Sequence, residues 1–352
     1  MPPIDDVLKP PLLTADLAGI GGQIKVNPED FEVEEIPAYE PSGQGDFLYL
    51  WIEKRDMGAE YFARQVAKRL AIPTGEVGTA GLKDRRAVTR QMVSIPASVE
   101  AKLPQLEGDG ITVLRVSRHT NKLRPGHLHG NRFRILIRMN PADHAARLAE
   151  PILDRIRAHG LPNYYGPQRF GRDGETLHLG LALLRGEKSI RQPFLKKLAL
   201  SAAQSAIFNH CLAQRMRDAL LRRVLLGDVM CKVPFGGMFV ASDVEAEQRR
   251  FDAHEIVSAG PIMGRKTFAA AAEAALREQA ALSAFELPAT AFNGFGKLLQ
   301  GTRRHNLVYV NDLAAVEEAE GLRLSFTMPA GSYATVLLRE IMKNEVSTDD
   351  TD

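Results

Sequence analysis

Ala80-Gly81-Leu82-Lys83-Asp84-Arg85-Arg86-Ala87-Val88-Thr89-Arg90-Gln91 sets one carboxylate, Asp84, among four cations, Lys83, Arg85, Arg86 and Arg90. Neighbouring positive charge favours the ionised form of an acid, which suits a nucleophile or a base better than a general acid. Asp84 is therefore a candidate catalytic residue; the plainer reading is an aspartate in a surface ion pair. Gly81 and the sharp change of polarity predict a loop, the kind of segment on which functional groups gather.

The chain before this loop alternates as strands do. In Gln23 to Glu35, Ile24, Val26, Phe31 and Val33 interleave with polar residues, and Asn27-Pro28-Glu29-Asp30 breaks the run as a turn. Phe47 to Ile52 is a denser apolar run, so a sheet begins here. Phe62, Val66 and Leu70 recur at four-residue steps and predict an amphipathic helix over Ala59 to Leu70, ended by the Ile72-Pro73 pair. After the loop, period-two alternation or β-branched cores predict strands at Ile111 to Val116, Arg132 to Met139, Asn306 to Val310 and Leu322 to Thr327. Helices are expected at Asp143 to His159, interrupted by Pro151, and at Gln192 to Arg222.

Between Gly160 and about Arg304 the character changes. Ala-rich stretches such as Lys266 to Leu282 predict helices there, and Gly236-Gly237 and Gly260-Pro261 predict turns. The Leu322 to Thr327 strand and a helix starting at Ser332, whose hydroxyl is a good N-cap, resemble the first third again. The chain thus reads as one domain made of residues 1–159 and 305–352, with residues 160–304 inserted. A length of 352 residues fits two domains, each with its own core.

Composition narrows the class. A hydrophobic fraction of 45% and a charged fraction of 25% are those of an ordinary globular protein and exclude global disorder. No apolar stretch is long enough to cross a bilayer, and Met1 to Thr14 lacks an apolar signal core, so a cytoplasmic protein with no membrane partner is expected. Cys211 and Cys231 show no Cys-x-x-Cys spacing and no histidine at ligand spacing, which predicts neither a disulfide nor a zinc site. The net charge of +2 names no partner, but its distribution does more. From Gly110 to Ala142 there is no acid, while Arg115, Arg118, Lys122, Arg124, Arg132, Arg134 and Arg138 are all cationic. Such a stripe attracts a phosphate backbone, unless it is simply a solvated basic face.

Within that stripe, alternation places Asn131, Phe133 and Ile135 on one strand face and Arg132, Arg134 and Leu136 on the other. Asn131 and Phe133 could grip a base by hydrogen bonding and stacking, although a single phenylalanine in a strand is more commonly core. Asn163 to Gly171 is a dense aromatic, polar and glycine cluster, and Phe326 stands at a strand end where a site could form. Gly260 to Thr267 has the flavour of a phosphate loop but is one residue short and inserts Arg265 before Lys266. No Gly-x-Gly-x-x-Gly follows a strand, and neither His-Glu-x-x-His nor Gly-x-Ser-x-Gly occurs. A nicotinamide, zinc or serine-hydrolase mechanism has no foothold, and no cofactor or metal is expected.

Six segments in register resemble the TruD family of tRNA pseudouridine synthases. They are Lys25-Val26-Asn27-Pro28-Glu29-Asp30-Phe31, Gly81 to Gln91, His119-Thr120-Asn121-Lys122-Leu123-Arg124, Gly130-Asn131-Arg132-Phe133, Asn163 to Gly171, and Phe326 through Leu338-Arg339-Glu340. The resemblance implies an α/β (α+β) fold: a pseudouridine-synthase catalytic domain on a mixed, largely antiparallel sheet, an inserted TruD-specific α/β domain, and a cleft between them for tRNA. It implies a cofactor-free enzyme that isomerises uridine at position 13 of tRNA; a monomer is expected, with the oligomeric state left open by the sequence. By the same similarity Asp84 matches the catalytic aspartate, Phe31, Asn131 and Phe326 match substrate contacts, and Phe133 matches a base-stacking aromatic. Lys25 and Lys83 are expected close to the carboxylate. Asp228 to Arg265 does not align readily, so RNA contacts of the inserted domain are not carried over. The rival from another class is a non-catalytic RNA-binding protein that retains the fold, and the intact Lys83-Asp84-Arg85 context counts against it. An enzyme of free nucleotides would not need so long a basic stripe.

Overall fold

The computed structural model describes residues 4–139, 144–233 and 236–344. In chain order the elements are helix α1 (Ile4–Leu8), strands β1 (Phe31–Pro37) and β2 (Phe47–Arg55), helix α2 (Ala59–Leu70), strands β3 (Gly78–Thr79), β4 (Val88–Pro96), β5 (Ile111–His119) and β6 (Leu128–Arg138), and helix α3 (Ala145–His159). Strand β7 (Leu161–Pro162), helices α4 (Glu175–Leu184) and α5 (Pro193–Arg217), strands β8 (Val229–Lys232) and β9 (Met238–Val240) and helix α6 (Val244–Asp252) follow. The last elements are β10 (Ile256–Ile262), α7 (Ala272–Ala284), β11 (Thr302–His305), β12 (Leu307–Val308), β13 (Ala314–Glu318), β14 (Gly321–Pro329) and α8 (Ala334–Met342). The helix start expected at Asp143 and the acidic tail Glu345 to Asp352 lie outside the described residues. Among the described residues no helix is long and apolar enough to cross a membrane.

The described residues fall into two compact units, one drawn from 17–157, 310–334 and 341–344, the other from 4–16, 158–309 and 335–340. The first is built on a sheet that, among the described residues, has eight strands in the order β13-β14-β6-β1-β4-β2-β5, with β3 added to β4. Only β1 and β4 run parallel, and they pair for just three residues, Glu32 to Glu34 against Val88 to Arg90. The sheet is mixed and largely antiparallel, as expected.

Helix α2 forms where its four-residue steps put it, because Phe62, Val66 and Leu70 bury against Leu48, Leu50 and Ile52 of β2 and Val93 and Ile95 of β4. It stops at Ala71, whose left-handed φ of 54° breaks the helical path. Helix α3 runs through Pro151 without interruption, contrary to expectation. Proline in a helix interior costs about 3 kcal/mol. Ala149, Ile152, Leu153 and Ile156 are all fully buried, and each large apolar side chain contributes about 1.5 to 3 kcal/mol, which outweighs the lost bond. Strand β4 escapes the sequence reading: the charges of Lys83 to Arg90 look like loop, yet Val88, Thr89, Val93 and Ile95 supply a β-branched strand at the centre of the sheet. Gly130 allows β6 and β14 a close approach, since a Cβ there would stand 2.3 Å from the Met328 carbonyl oxygen.

The second unit is organised on α5, whose middle is buried on nearly every side. Leu200, Ala203 and Ile207 meet Leu177, Leu181 and Leu184 of α4, and Phe208 and Leu212 pack with Met230, Ile256 and Val257 of a small antiparallel sheet ordered β11-β10-β8-β9. The Asn163 to Gly171 cluster is tied into this unit: Arg304 stacks 4.1 Å from the Tyr165 ring centroid and donates to Asn163 Oδ1 at 2.7 Å. The strand expected over Asn306 to Val310 is shorter, only β12, because its partner β7 offers two residues. Helix α8 begins at Ala334, later than expected, and Ser332 is no cap: its hydroxyl is buried without a hydrogen-bond partner among the described residues.

Candidate active site

Asp84 lies in the loop between β3 and β4, and both ends of that loop are fixed by backbone bonds. Gly126 N–H donates to the Ala80 carbonyl at 2.8 Å, and Asp56 N–H donates to the Ala87 carbonyl at 3.1 Å. Ala80 packs with Tyr49, Met92 and Leu123, so His119 to Arg124 supports the base of the loop through Leu123, whose N–H also donates to Ser94 Oγ at 2.9 Å. At the tip the Asp84 side chain is 41% exposed, open enough to meet a substrate. Lys25 Nζ donates to its Oδ1 at 3.0 Å. That ammonium also sits 4.7 Å from the centroid of the Phe31 ring, a cation–π distance. Lys25 holds a left-handed φ of 56°, a backbone state that costs a non-glycine residue about 1 to 3 kcal/mol and that gathers at functional sites.

Register explains the aromatic group beside it. Phe133 on β6 is paired with Val33 of β1 on one side and with Phe326 of β14 on the other. The Phe133 and Phe326 rings stack with centroids 5.1 Å apart, and Phe31 meets Phe133 edge-on at 6.3 Å. All three are buried, Phe133 being 6% exposed. Asn131 lies two residues before Phe133 on the same strand face, and its side-chain oxygen is buried with no hydrogen-bond partner among the described residues. Leaving such an acceptor unpaired costs about 1 to 3 kcal/mol.

The turn that carries Lys25 toward the loop is held by Asp30. Arg138 donates to it twice, Nε to Oδ2 and Nη2 to Oδ1, each at 2.8 Å, and Asn27 N–H donates to Oδ2 at 2.7 Å. Burial pushes the Asp30 carboxyl up, but the Arg138 fork and the Asn27 amide outweigh it and hold the group below the usual range.

Lys83 is engaged by a buried acid. Its ammonium donates to Glu35 Oε2 at 2.7 Å, and the two side chains are 4% and 1% exposed. Glu35 stands just past the point where β1 and β4 stop pairing, and its Oε1 takes the Met92 N–H of β4 at 3.3 Å. Lys54, fully buried on β2, donates to the Asp84 carbonyl oxygen at 2.9 Å and to that of Met57. Sequence reasoning finds neither Glu35 nor Lys54.

Five of the seven cations in the acid-free stripe are paired with acids from elsewhere. Arg115 meets Glu40, Arg118 meets Glu100, Arg132 meets Glu34, Arg134 meets Glu32 and Arg138 meets Asp30. The local run overstates the net positive charge, because acids distant in sequence, three of them on β1 and the turn before it, lie beside these cations.

The family model described as tRNA pseudouridine synthase D (TruD) matches residues 9–192 and 189–341. The tRNA pseudouridine synthase D of Anaeromyxobacter sp. (strain Fw109-5) is 42% identical over 339 residues, 95% of this chain and 96% of its own. That of a strain of Thermus thermophilus is 43% identical over 346 residues, 97% of this chain and 95% of its own. The crystal structure described as that of tRNA pseudouridine synthase D (TruD) from Methanosarcina mazei matches with a TM-score of 0.77 at 25% identity, over 97% of this chain and 98% of that one. These matches define the class, an isomerase that modifies RNA. The chain belongs to the TruD family of tRNA pseudouridine synthases.

Proposed function

We propose that the chain converts uridine to pseudouridine at position 13 of tRNA, with Asp84 as the catalytic carboxylate. The observation that carries this reading is the half-exposed Asp84 carboxylate, 3.0 Å from Lys25, which in turn lies against the Phe31 ring. The reaction breaks the bond from N1 to the ribose C1′, turns the uracil within the site and joins C5 to C1′. The hydrogen at C5 leaves as a proton and N1 gains one, so no net oxidation and no external group are needed.

The target uridine is extruded from its stack, since its reactive atoms are otherwise screened. Phe133, the least buried of the three rings, stacks on the base with Phe31 and Phe326 packed against it, and the Asn131 oxygen, covered and unpaired among the described residues, accepts from a uracil N–H once the base displaces its cover. Asp84 then acts as nucleophile, or as a base toward the ribose, and Lys25 fixes where its carboxylate points. The sheet-based unit carries the chemistry. The sequence division into a catalytic part, 1–159 and 305–352, and an inserted part, 160–304, is our reading of the two units, although in space 4–16, 158–159, 305–309 and 335–340 group with the middle segment. We read the enzyme as a cytoplasmic monomer with tRNA as its macromolecular partner.

Incubation of the purified chain with unmodified tRNA transcripts, followed by chemical mapping of pseudouridine, tests this. Pseudouridine at position 13 is expected. A transcript that binds and stays unmodified would favour the non-catalytic RNA-binding protein.

A further inference from the structure

We propose that Lys54, together with the Glu35–Lys83 ion pair, acts as a positioning clamp that holds Asp84 in its reactive place, an inference that rests on Asp84 being the catalytic carboxylate. The clamp reaches the loop from three strands. Lys54 from β2 takes the backbone carbonyl of Asp84 itself, at 2.9 Å. Glu35 from β1 takes the ammonium of the preceding residue, Lys83, at 2.7 Å, and is itself held by the Met92 N–H of β4. One bond grips the backbone of Asp84 and the other the side chain of the residue before it, and its carboxylate faces outward, where it is 41% exposed.

Stability does not explain these groups. Lys54 is fully buried on β2, two residues beyond Ile52, and keeping an ammonium there costs desolvation that a methionine of similar length would not incur. The Glu35–Lys83 pair is equally dry, and a buried ion pair is often no more stabilising than apolar side chains of the same volume. What the charges do provide is direction. An ammonium bonds a carbonyl oxygen at a fixed distance, whereas apolar contact lets a loop slide, and a displacement of about 1 Å of a reacting group can cost about a hundredfold in rate. Backbone groups held by buried charge are the kind of supporting shell on which a placed carboxylate depends.

The test is Lys54→Met assayed beside Asp84→Asn with full-length tRNA. The clamp predicts a kcat for Lys54→Met lower by about a hundredfold, with KM and tRNA affinity within about twofold, at a temperature where the variant is folded, because the Met57 and Asp84 carbonyls left without this donor lower its melting temperature. A folded Lys54→Met protein with kcat within about threefold of the parent, beside a dead Asp84→Asn protein, overturns the clamp and leaves the role of Asp84 standing. An active Asp84→Asn protein overturns the reading underneath. A lowered melting temperature with kcat preserved at a temperature where the protein is folded means a merely structural lysine and also overturns the clamp. If Lys54→Met does not fold, judged by Trp51 fluorescence, Glu35→Gln decides by the same split: a fall in kcat at constant KM supports the clamp, and a parental kcat sinks it.

Discussion

Replacing Asp30 by asparagine removes the charge that holds the turn between Lys25 and Phe31. The carboxylate is 1% exposed and accepts two bonds from Arg138 at 2.8 Å and one from the Asn27 amide at 2.7 Å. Removing one partner of a buried pair costs about 3 to 5 kcal/mol. Arg138 keeps Glu320 at 3.0 Å and is itself 24% exposed, so the lower end applies, about 3 kcal/mol. The chain has a single tryptophan, Trp51 on β2, in the same unit as Asp30, and its fluorescence reports the unfolding of that unit. At a slope of about 2 kcal/mol per molar urea, the midpoint of Asp30→Asn falls by about 1.5 M at pH 7. The native carboxyl lies below its ordinary value of 3.8, so its contribution is fully present above that value and is lost as pH falls through the native one. The gap between parent and variant is therefore constant above about pH 5 and narrows as the medium is acidified below the ordinary value. A midpoint shift under about 0.3 M at pH 7, or a gap that does not narrow in acid, would refute the reasoning.

Two other outcomes follow from buried groups. Glu340 is 2% exposed and receives the Leu13 amide at 2.7 Å, the Thr14 amide at 3.1 Å and the Thr14 hydroxyl at 2.7 Å. Glu340→Ala removes three bonds to a buried carboxylate, at a cost of about 3 kcal/mol, visible as a lower calorimetric transition, and a loss under about 1 kcal/mol would contradict it. Burial pushes the Cys211 thiol up to about 12 and raises that of Cys231, so iodoacetamide at about pH 8 should label the native protein far more slowly than the urea-unfolded one. Equal labelling rates would overturn that assignment.

The sequence shows what depends on local periodicity and hides what depends on pairing. Helix α2 is legible to the residue because three apolar side chains at four-residue steps leave one buried face. Strand β4 is not, because its charged start looks like a continuation of the Asp84 loop although its alternation is paid off only once β1 and β2 lie beside it. The same blindness makes Arg115 to Arg138 look like a free basic stripe when Glu32, Glu34 and Asp30 wait on the neighbouring strand and turn. In the site, Asp84, Lys25 and the Phe31, Phe133 and Phe326 group are brought together from motifs that could be matched in series. Glu35 and Lys54 leave no mark, since a glutamate in an alternating strand and a lysine near a strand end are the usual signs of solvent exposure. Their partners lie 48 and 30 residues away, and only the fold brings them near.

Release of tritium from tRNA carrying C5-labelled uridine, measured for the parent and for Asp84→Asn at matched tRNA occupancy, tests the central assignment most directly. Label should enter solvent with the parent and stay on the RNA with the variant, while both bind tRNA alike. Parental release by the variant would remove Asp84 from the chemistry.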